Sequence, residues 1–224
     1  MPDASRFEWS AARRYLEGLL PQAIRELEAP VPPEITAAKP SIGPEAAQLL
    51  TVLIHATRPK RALEIGTGLG YSAIAMGRAL ERVGARLTTI ELDPRLAGAA
   101  RQNIADAGLS DLVEVIIADA NEVIANIAGP FGLILQDGHK PDYIRMLPRV
   151  VELLEPGGLL VSDDVLFPVM DLPESASLSQ HAIRDYNEAL KNRPDLETTW
   201  LPIGDGVAVS VKSGGPTRET WTPS

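Results

Sequence analysis

Residues 62–72 read Ala-Leu-Glu-Ile-Gly-Thr-Gly-Leu-Gly-Tyr-Ser: an apolar run enters three alternating glycines and leaves into a segment with helical spacing. Glycines let a chain turn sharply from a strand into a helix, and they let a ligand lie against bare backbone. The rest of the chain keeps the period that this passage opens. Strands are expected at Arg61–Ile65, Arg86–Ile90, Val113–Ile117, Phe131–Gln136 and Gly158–Ser162, with helices near Tyr71–Val83, Pro94–Ala107, Asn121–Ala128 and Asp142–Leu154. Such alternation means parallel strands joined by right-handed crossovers, with helices on both faces. A helix at Ala182–Asn192 follows, and Glu197–Lys212 reads as strand, turn, strand, with Ile203-Gly204-Asp205-Gly206 as the hairpin. The expected architecture is therefore an α/β sandwich on a seven-stranded, mostly parallel sheet that closes on an antiparallel hairpin.

Ahead of this unit, Ser5–Glu28 has helical spacing divided by Pro21, and Trp9, Ala12, Leu16, Leu19 and Leu20 form an apolar stripe suited to covering the domain or a partner subunit. The proline-rich stretch Ala29–Pro40 reads as a loop, and Pro44 opens a helix that runs to about Thr57. The expected division is a helical cap and loop over 1–43, one α/β domain over 44–213, and a loose tail over 214–224. Aromatics make up only 4% of the chain, so the core must be mostly Leu, Ile, Val and Ala. A formal charge of −9 opposes a nucleic-acid partner, whose phosphates it would repel. The absence of cysteine excludes disulfides, zinc thiolates and thiol nucleophiles. No apolar signal core and no run of membrane-spanning length occur, so the expectation is a cytoplasmic protein with no membrane partner.

Two groups of acidic residues carry the chemistry. Glu64 precedes the glycines Gly66, Gly68 and Gly70, where it disfavours a pyrophosphate and suits a cationic ligand; Glu91 closes the next strand, about 20 residues beyond Gly70, where a ribose-binding carboxylate is expected. Together these features resemble the S-adenosylmethionine site of a class I methyltransferase. The second group lies at the ends of the fourth and fifth strands, Gln136-Asp137-Gly138-His139-Lys140 and Ser162-Asp163-Asp164. Parallel strands in this order bring both carboxyl ends to one rim beside the glycine loop. Singly, each aspartate is equally a helix cap or a solvated loop residue. Gathered, the three repel one another, which raises their pKa values, and a hard divalent cation with oxygen ligands relieves the repulsion. Mg²⁺ suits such a site, with Mn²⁺ and Ca²⁺ as alternatives.

Asp-x-x-Lys after strand four and Asp-Asp after strand five resemble the cation-dependent O-methyltransferase family, which includes catechol and caffeoyl-CoA O-methyltransferases. The resemblance extends through Tyr15-Leu16, Ser41-Ile42-Gly43-Pro44-Glu45, Ala118-Asp119-Ala120, Glu155–Val161, Ala182–Asn187 and Leu201–Gly206. It implies a Rossmann-like methyltransferase sandwich, S-adenosylmethionine as methyl donor, a homodimer, and a small aromatic acceptor with vicinal hydroxyls. It further implies Asp137, Asp163 and Asp164 as metal ligands and Lys140 as the general base. Glu91 would hold the cofactor ribose, Asp119 and Ala120 would lie near the adenine, Ser72 and the backbone near Ile42 would lie near the methionine end, and Asp137 would also bind the cofactor. Two positions depart from the family: Asp164 stands where Asn is usual, and His139 where bacterial relatives commonly carry Asp.

The chemistry is consistent with these assignments. Methyl transfer from a sulfonium to oxygen needs an ionised or ionising hydroxyl in line with the methyl carbon. A phenol, with a pKa of about 10, is mostly protonated at neutral pH. Chelation by a cation lowers that pKa, and Lys140 can take the remaining proton if burial or the cation lowers its own. A nicotinamide-dependent oxidoreductase is disfavoured, since no Tyr-x-x-x-Lys pair occurs. A non-catalytic cofactor-binding protein has only Asp164 in its favour. His55, His181 and the scattered Trp9, Trp200 and Trp221 define no site.

Overall fold

The central strands, over residues 61–65 and 131–136, are almost continuous apolar runs, the pattern of parallel strands covered on both faces. The computed structural model describes residues 9–33, 35 and 42–213. It contains β1 (Arg61–Ile65), β2 (Arg86–Glu91), β3 (Val113–Ile117), β4 (Phe131–Gln136) and β5 (Leu154–Asp163), all parallel. The expected hairpin, β6 (Leu196–Leu201) and β7 (Val207–Lys212), adds antiparallel to β5 through β7, giving the order β3-β2-β1-β4-β5-β7-β6. Ile65 registers with Ile90 on one side and Gln136 on the other, so the strand order reverses at β1. Open α/β sheets bind ligands at the carboxyl ends beside such a reversal.

The helices are α1 (Trp9–Leu19), α2 (Gln22–Arg25), α3 (Pro44–Thr57), α4 (Tyr71–Val83), α5 (Pro94–Asp106), α6 (Ala120–Asn126), α7 (Tyr143–Leu153) and α8 (Ser177–Lys191). From α3, α4 and α5, Leu50, Ile54, Met76, Leu80 and Ile104 cover one face of the sheet. From α6, α7 and α8, Ile124, Leu147, Val150 and Tyr186 cover the other. Each fully buried aliphatic side chain contributes about 1.5–3 kcal/mol, so these two layers hold the sheet ends in register. Asp93 caps α5 by accepting the Arg95 N–H at 2.8 Å, with Pro94 in the first turn, which fixes the chain just beyond Glu91.

Four boundaries differ from expectation by more than one residue, the first being α2, which ends at Arg25 rather than Glu28. β5 begins at Leu154 rather than Gly158, and its pairing with β4 shifts register between Phe131 and Leu133; Gly157 and Gly158 mark an irregularity inside the strand, not a turn before it. α8 begins at Ser177 rather than Ala182, because a 3₁₀ turn, Glu174–Ala176, follows Pro173 and runs into it. α6 stops at Asn126, two residues early, where Ile127 turns to extended backbone. Pro21 divides the N-terminal helices as expected, but Leu16 and Leu19 of the apolar stripe face solvent, together with Tyr15. The start of that helix at Ser5, the Trp9 side chain, Pro40, Ser41 and the tail over 214–224 lie outside the described residues. Among the described residues, no helix is long and apolar enough to cross a membrane.

Candidate active site

The turn out of β1 requires glycine for two different reasons. Gly66 has φ +97°, and a Cβ there would lie 2.5 Å from the Asp137 carbonyl oxygen, so the β1 loop rests directly on the loop after β4. Gly68 has φ +54° with open space where a Cβ would be, and its N–H donates to Glu91 Oε2 at 2.8 Å. The other oxygen of Glu91 accepts the Asp93 N–H at 2.9 Å. Two backbone donors thus fix this carboxylate at the end of β2, while it still lines an open cleft of about 670 Å³.

Gly68, Glu91, Asp119 and Ala120, at the carboxyl ends of β1, β2 and β3, line one side of that cleft, Asp137, Lys140 and Asp164, after β4 and β5, line the other, and Gly66 lies against Asp137. Asp119 caps α6, accepting the Asn121 N–H at 2.8 Å, and this bond holds its carboxyl below the usual range. Gly70, Ser72, Ile42, Glu64 and Asp163 are buried and do not line the cleft. Glu64, expected to face a cationic ligand, sits behind the glycine loop. Its Oε2 accepts from Thr89 Oγ1 at 2.6 Å, Thr89 in turn bonds Thr67 at 2.6 Å, and Ser72 bonds the same carboxyl. Burial, only partly offset by these bonds, pushes Glu64 up to about 8. Ile42 reaches the opposite group, where its backbone N–H bonds the Asp137 carboxyl.

Asp137, Asp163 and Asp164 do converge: an oxygen from each lies within 4.8 Å of the others. Burial and the neighbouring carboxylates push Asp163 up to about 8. Burial raises Asp137 as well, against the pull of Lys140. Asp164 follows β5 with φ +63°, a left-handed conformation that Asp and Asn tolerate better than most residues. Lys140 Nζ bonds Asp137 Oδ1 at 2.9 Å, Asp164 Oδ2 at 2.8 Å and the Tyr143 hydroxyl at 3.0 Å. Burial pulls the lysine down, but Tyr143, Asp137 and Asp164 outweigh it and hold it well above its ordinary value. Of the two routes by which Lys140 could be lowered, burial alone does not suffice: in the protein by itself Lys140 is an ammonium, and the cation is the route that remains.

Sequence reasoning passed over Tyr143, Met146 and Phe167. Tyr143 and Met146 stand three and six residues after Lys140, on the side of the turn and helix that carries it, and that spacing was the available signal. Phe167 lines the cleft from a 3₁₀ turn after β5, for which the sequence has no periodic mark. His139 is exposed at the mouth, 3.2 Å from Asp142.

The donor set tests well for a hard divalent cation, being three oxygen ligands whose repulsion a single lysine leaves incompletely relieved. The Gly68 opening beside a carboxylate already held by two N–H groups likewise fits a hydroxyl-rich cofactor sugar.

Comparison with known proteins agrees with this geometry. The O-methyltransferase family profile matches residues 20–213. A catechol O-methyltransferase of Niastella koreensis is 34% identical over 181 residues, covering 76% of this chain and 81% of the relative. A catechol O-methyltransferase of Mycobacterium tuberculosis is 32% identical over 177 residues, covering 76% and 80%. The crystal structure of the O-methyltransferase TomG from Streptomyces achromogenes, involved in tomaymycin synthesis and solved with S-adenosylmethionine, superposes with a TM-score of 0.75 at 26% identity, covering 96% of this chain and all of that one. The chain therefore belongs to the O-methyltransferase family and is an S-adenosylmethionine-dependent O-methyltransferase.

Proposed function

We propose that the protein methylates a hydroxyl of a small catechol-like aromatic, with a divalent cation, Mg²⁺ or alternatively Mn²⁺ or Ca²⁺, held by Asp137, Asp163 and Asp164. The observation that carries this reading is the convergence of three aspartate oxygens within 4.8 Å of one another, two of the aspartates lining the cleft and paired with one lysine. A cation held there would lower the pKa of a chelated hydroxyl and offset the carboxylates' pull on the Lys140 ammonium. With that charge offset, Lys140 would give up one proton to solvent and, as the neutral amine, would take the proton of the accepting hydroxyl as that oxygen gains the methyl group and S-adenosylhomocysteine leaves. Glu91 holds the cofactor ribose through the lone pairs left free by its two backbone donors. Asp119 and Ala120 flank the adenine end, while Ile42, Gly66 and Asp137 close the end toward the methionine. Glu64, Gly70 and Ser72 support the loop from behind rather than touching the cofactor.

The exposed Tyr15, Leu16 and Leu19 of α1 support a homodimer, and a cytoplasmic location goes with the reading. The test is methyl transfer from S-adenosylmethionine to caffeate with Mg²⁺ and after exhaustive chelation. Turnover restored only by a divalent cation is expected. Equal rates in both conditions would remove the cation role and favour a class I methyltransferase with a non-catechol acceptor.

A further inference from the structure

Lys140 has three N–H groups, and the protein takes all of them: Asp137 Oδ1 at 2.9 Å, Asp164 Oδ2 at 2.8 Å and Tyr143 Oη at 3.0 Å. Two of these partners are the carboxylates assigned above to a cation, and a carboxylate that ligates a metal has less to give a lysine. The third is of a different kind. Tyr143 is fully buried, its ring stands edge-on to Tyr186 at 5.1 Å, and its hydroxyl donates to the Gln136 carbonyl at 2.7 Å, with the Asp163 carbonyl next at 3.5 Å. Having one proton and spending it on the β4 main chain, the hydroxyl can only accept from Lys140. It is thereby fixed to the last residue of β4, the one immediately before Asp137, and borders the last residue of β5. Beneath it, Tyr186 links Ser162 Oγ at 2.7 Å and Gln136 Oε1 at 3.1 Å, so the ring's neighbours are themselves hydrogen-bonded into both strands.

We infer that Tyr143 is the positioning residue for Lys140, its hydroxyl holding Nζ at the acceptor end of the cleft independently of the aspartates. This rests on Lys140 being the base proposed above. An anchor tied to the strand ends keeps the lysine in register with the aspartates that orient the acceptor. A flexible four-carbon side chain left with only the carboxylates would lose its fixed position when they turn to a cation. The role is one of placement, since Tyr143 touches neither acceptor nor cofactor.

The test is a double-mutant cycle on the full-length protein, assayed with caffeate, S-adenosylmethionine and saturating Mg²⁺. Tyr143→Phe keeps the ring against Tyr186 and removes the oxygen. It is expected to lower kcat by about 10- to 100-fold while the KM for caffeate and the Kd for S-adenosylmethionine change by less than about 3-fold. In a Lys140→Ala background the same substitution is expected to have no further effect on kcat. A Lys140-dependent activity that Tyr143→Phe leaves unchanged, or lowers by the same factor in both backgrounds, overturns this inference alone. Full activity in Lys140→Ala overturns the base assignment and this inference with it. Should Tyr143→Phe not fold, 3-fluorotyrosine at 143 keeps the phenol but makes its oxygen a poorer acceptor. A several-fold lower kcat at unchanged KM is then expected, and an unchanged kcat overturns the inference.

Discussion

At the end of β1, Glu64 is fully buried among the hydroxyls of Thr89 and Ser72, whereas at the ends of β4 and β5 Asp137 and Asp164 pair with one lysine at an open cleft, with buried Asp163 close behind them. Burial pushes both Glu64 and Asp163 up to about 8, yet the two places solve the problem differently. Glu64 has neutral partners and no solvent access, so it is accommodated by keeping its proton. Asp163 has charged neighbours as well as burial, so its site keeps a proton in the metal-free protein and would exchange it for a bound cation. The first arrangement is a supporting structure behind the glycine loop, and the second is a site with an unmet electrostatic demand. The same carboxyl chemistry therefore gives a rigid wall in one place and a candidate metal centre in the other.

The largest expected effect separates these two directly. Asp163→Asn should reduce turnover with Mg²⁺ by on the order of 100-fold or more. It should also stabilise the metal-free protein at neutral pH by about 1–3 kcal/mol, because Asn, unlike Asp163, has no proton to take up on folding; thermal melts and caffeate kinetics check both. Gly66→Ala attacks the wall instead. A methyl group 2.5 Å from the Asp137 carbonyl, at φ +97°, should destabilise the protein by about 3 kcal/mol and weaken cofactor and acceptor sites together, as denaturant unfolding and ligand titration would report.

A smaller effect sharpens the contrast through pH. Glu64 titrates near 8 in the fold against 4.5 free, so between those values the unfolded chain has lost a proton that the folded protein keeps. Stability must therefore fall as pH rises across that window. Glu64→Gln should remove this part of the slope and raise stability at pH 8 by about 1–3 kcal/mol, leaving the response to Mg²⁺ intact. Asp163, against 3.8 free, has the same sign, but its share should disappear when Mg²⁺ is added. Melting curves of both variants between pH 5 and 8, with and without Mg²⁺, distinguish the wall from the metal site. The smallest expected change is at the ribose end. Glu91→Gln should weaken S-adenosylmethionine binding by about 10-fold, read as Kd, with metal binding unaffected.

The order of elements was readable because each strand and helix carries its own period and punctuation. Residues 61–65, 113–117 and 131–136 run as the sequence implies, and Asp93-Pro94 marks the start of α5. The convergence of Asp137, Asp163 and Asp164 was readable too, because parallel topology dictates that strand ends share a rim. The direction of Glu64 was not. β1 is buried on both faces from Ala62 to Ile65, so alternation has no solvent side to distinguish. The placement of Lys140 beside Asp137 follows from the same topology, but the outcome of burial against two adjacent carboxylates depends on distances that spacing does not supply. Tyr143 was missed for the same reason: its importance lies in what its hydroxyl meets across β4 and β5.

Calorimetric titration of caffeate into the protein preloaded with S-adenosylmethionine, once with Mg²⁺ and once with chelator, tests the central claim most directly. Caffeate binding that appears only with Mg²⁺, while the cofactor binds in both buffers, is the result this account predicts. Caffeate binding of equal strength in chelator would contradict the assignment of Asp137, Asp163 and Asp164 to a cation that holds the acceptor.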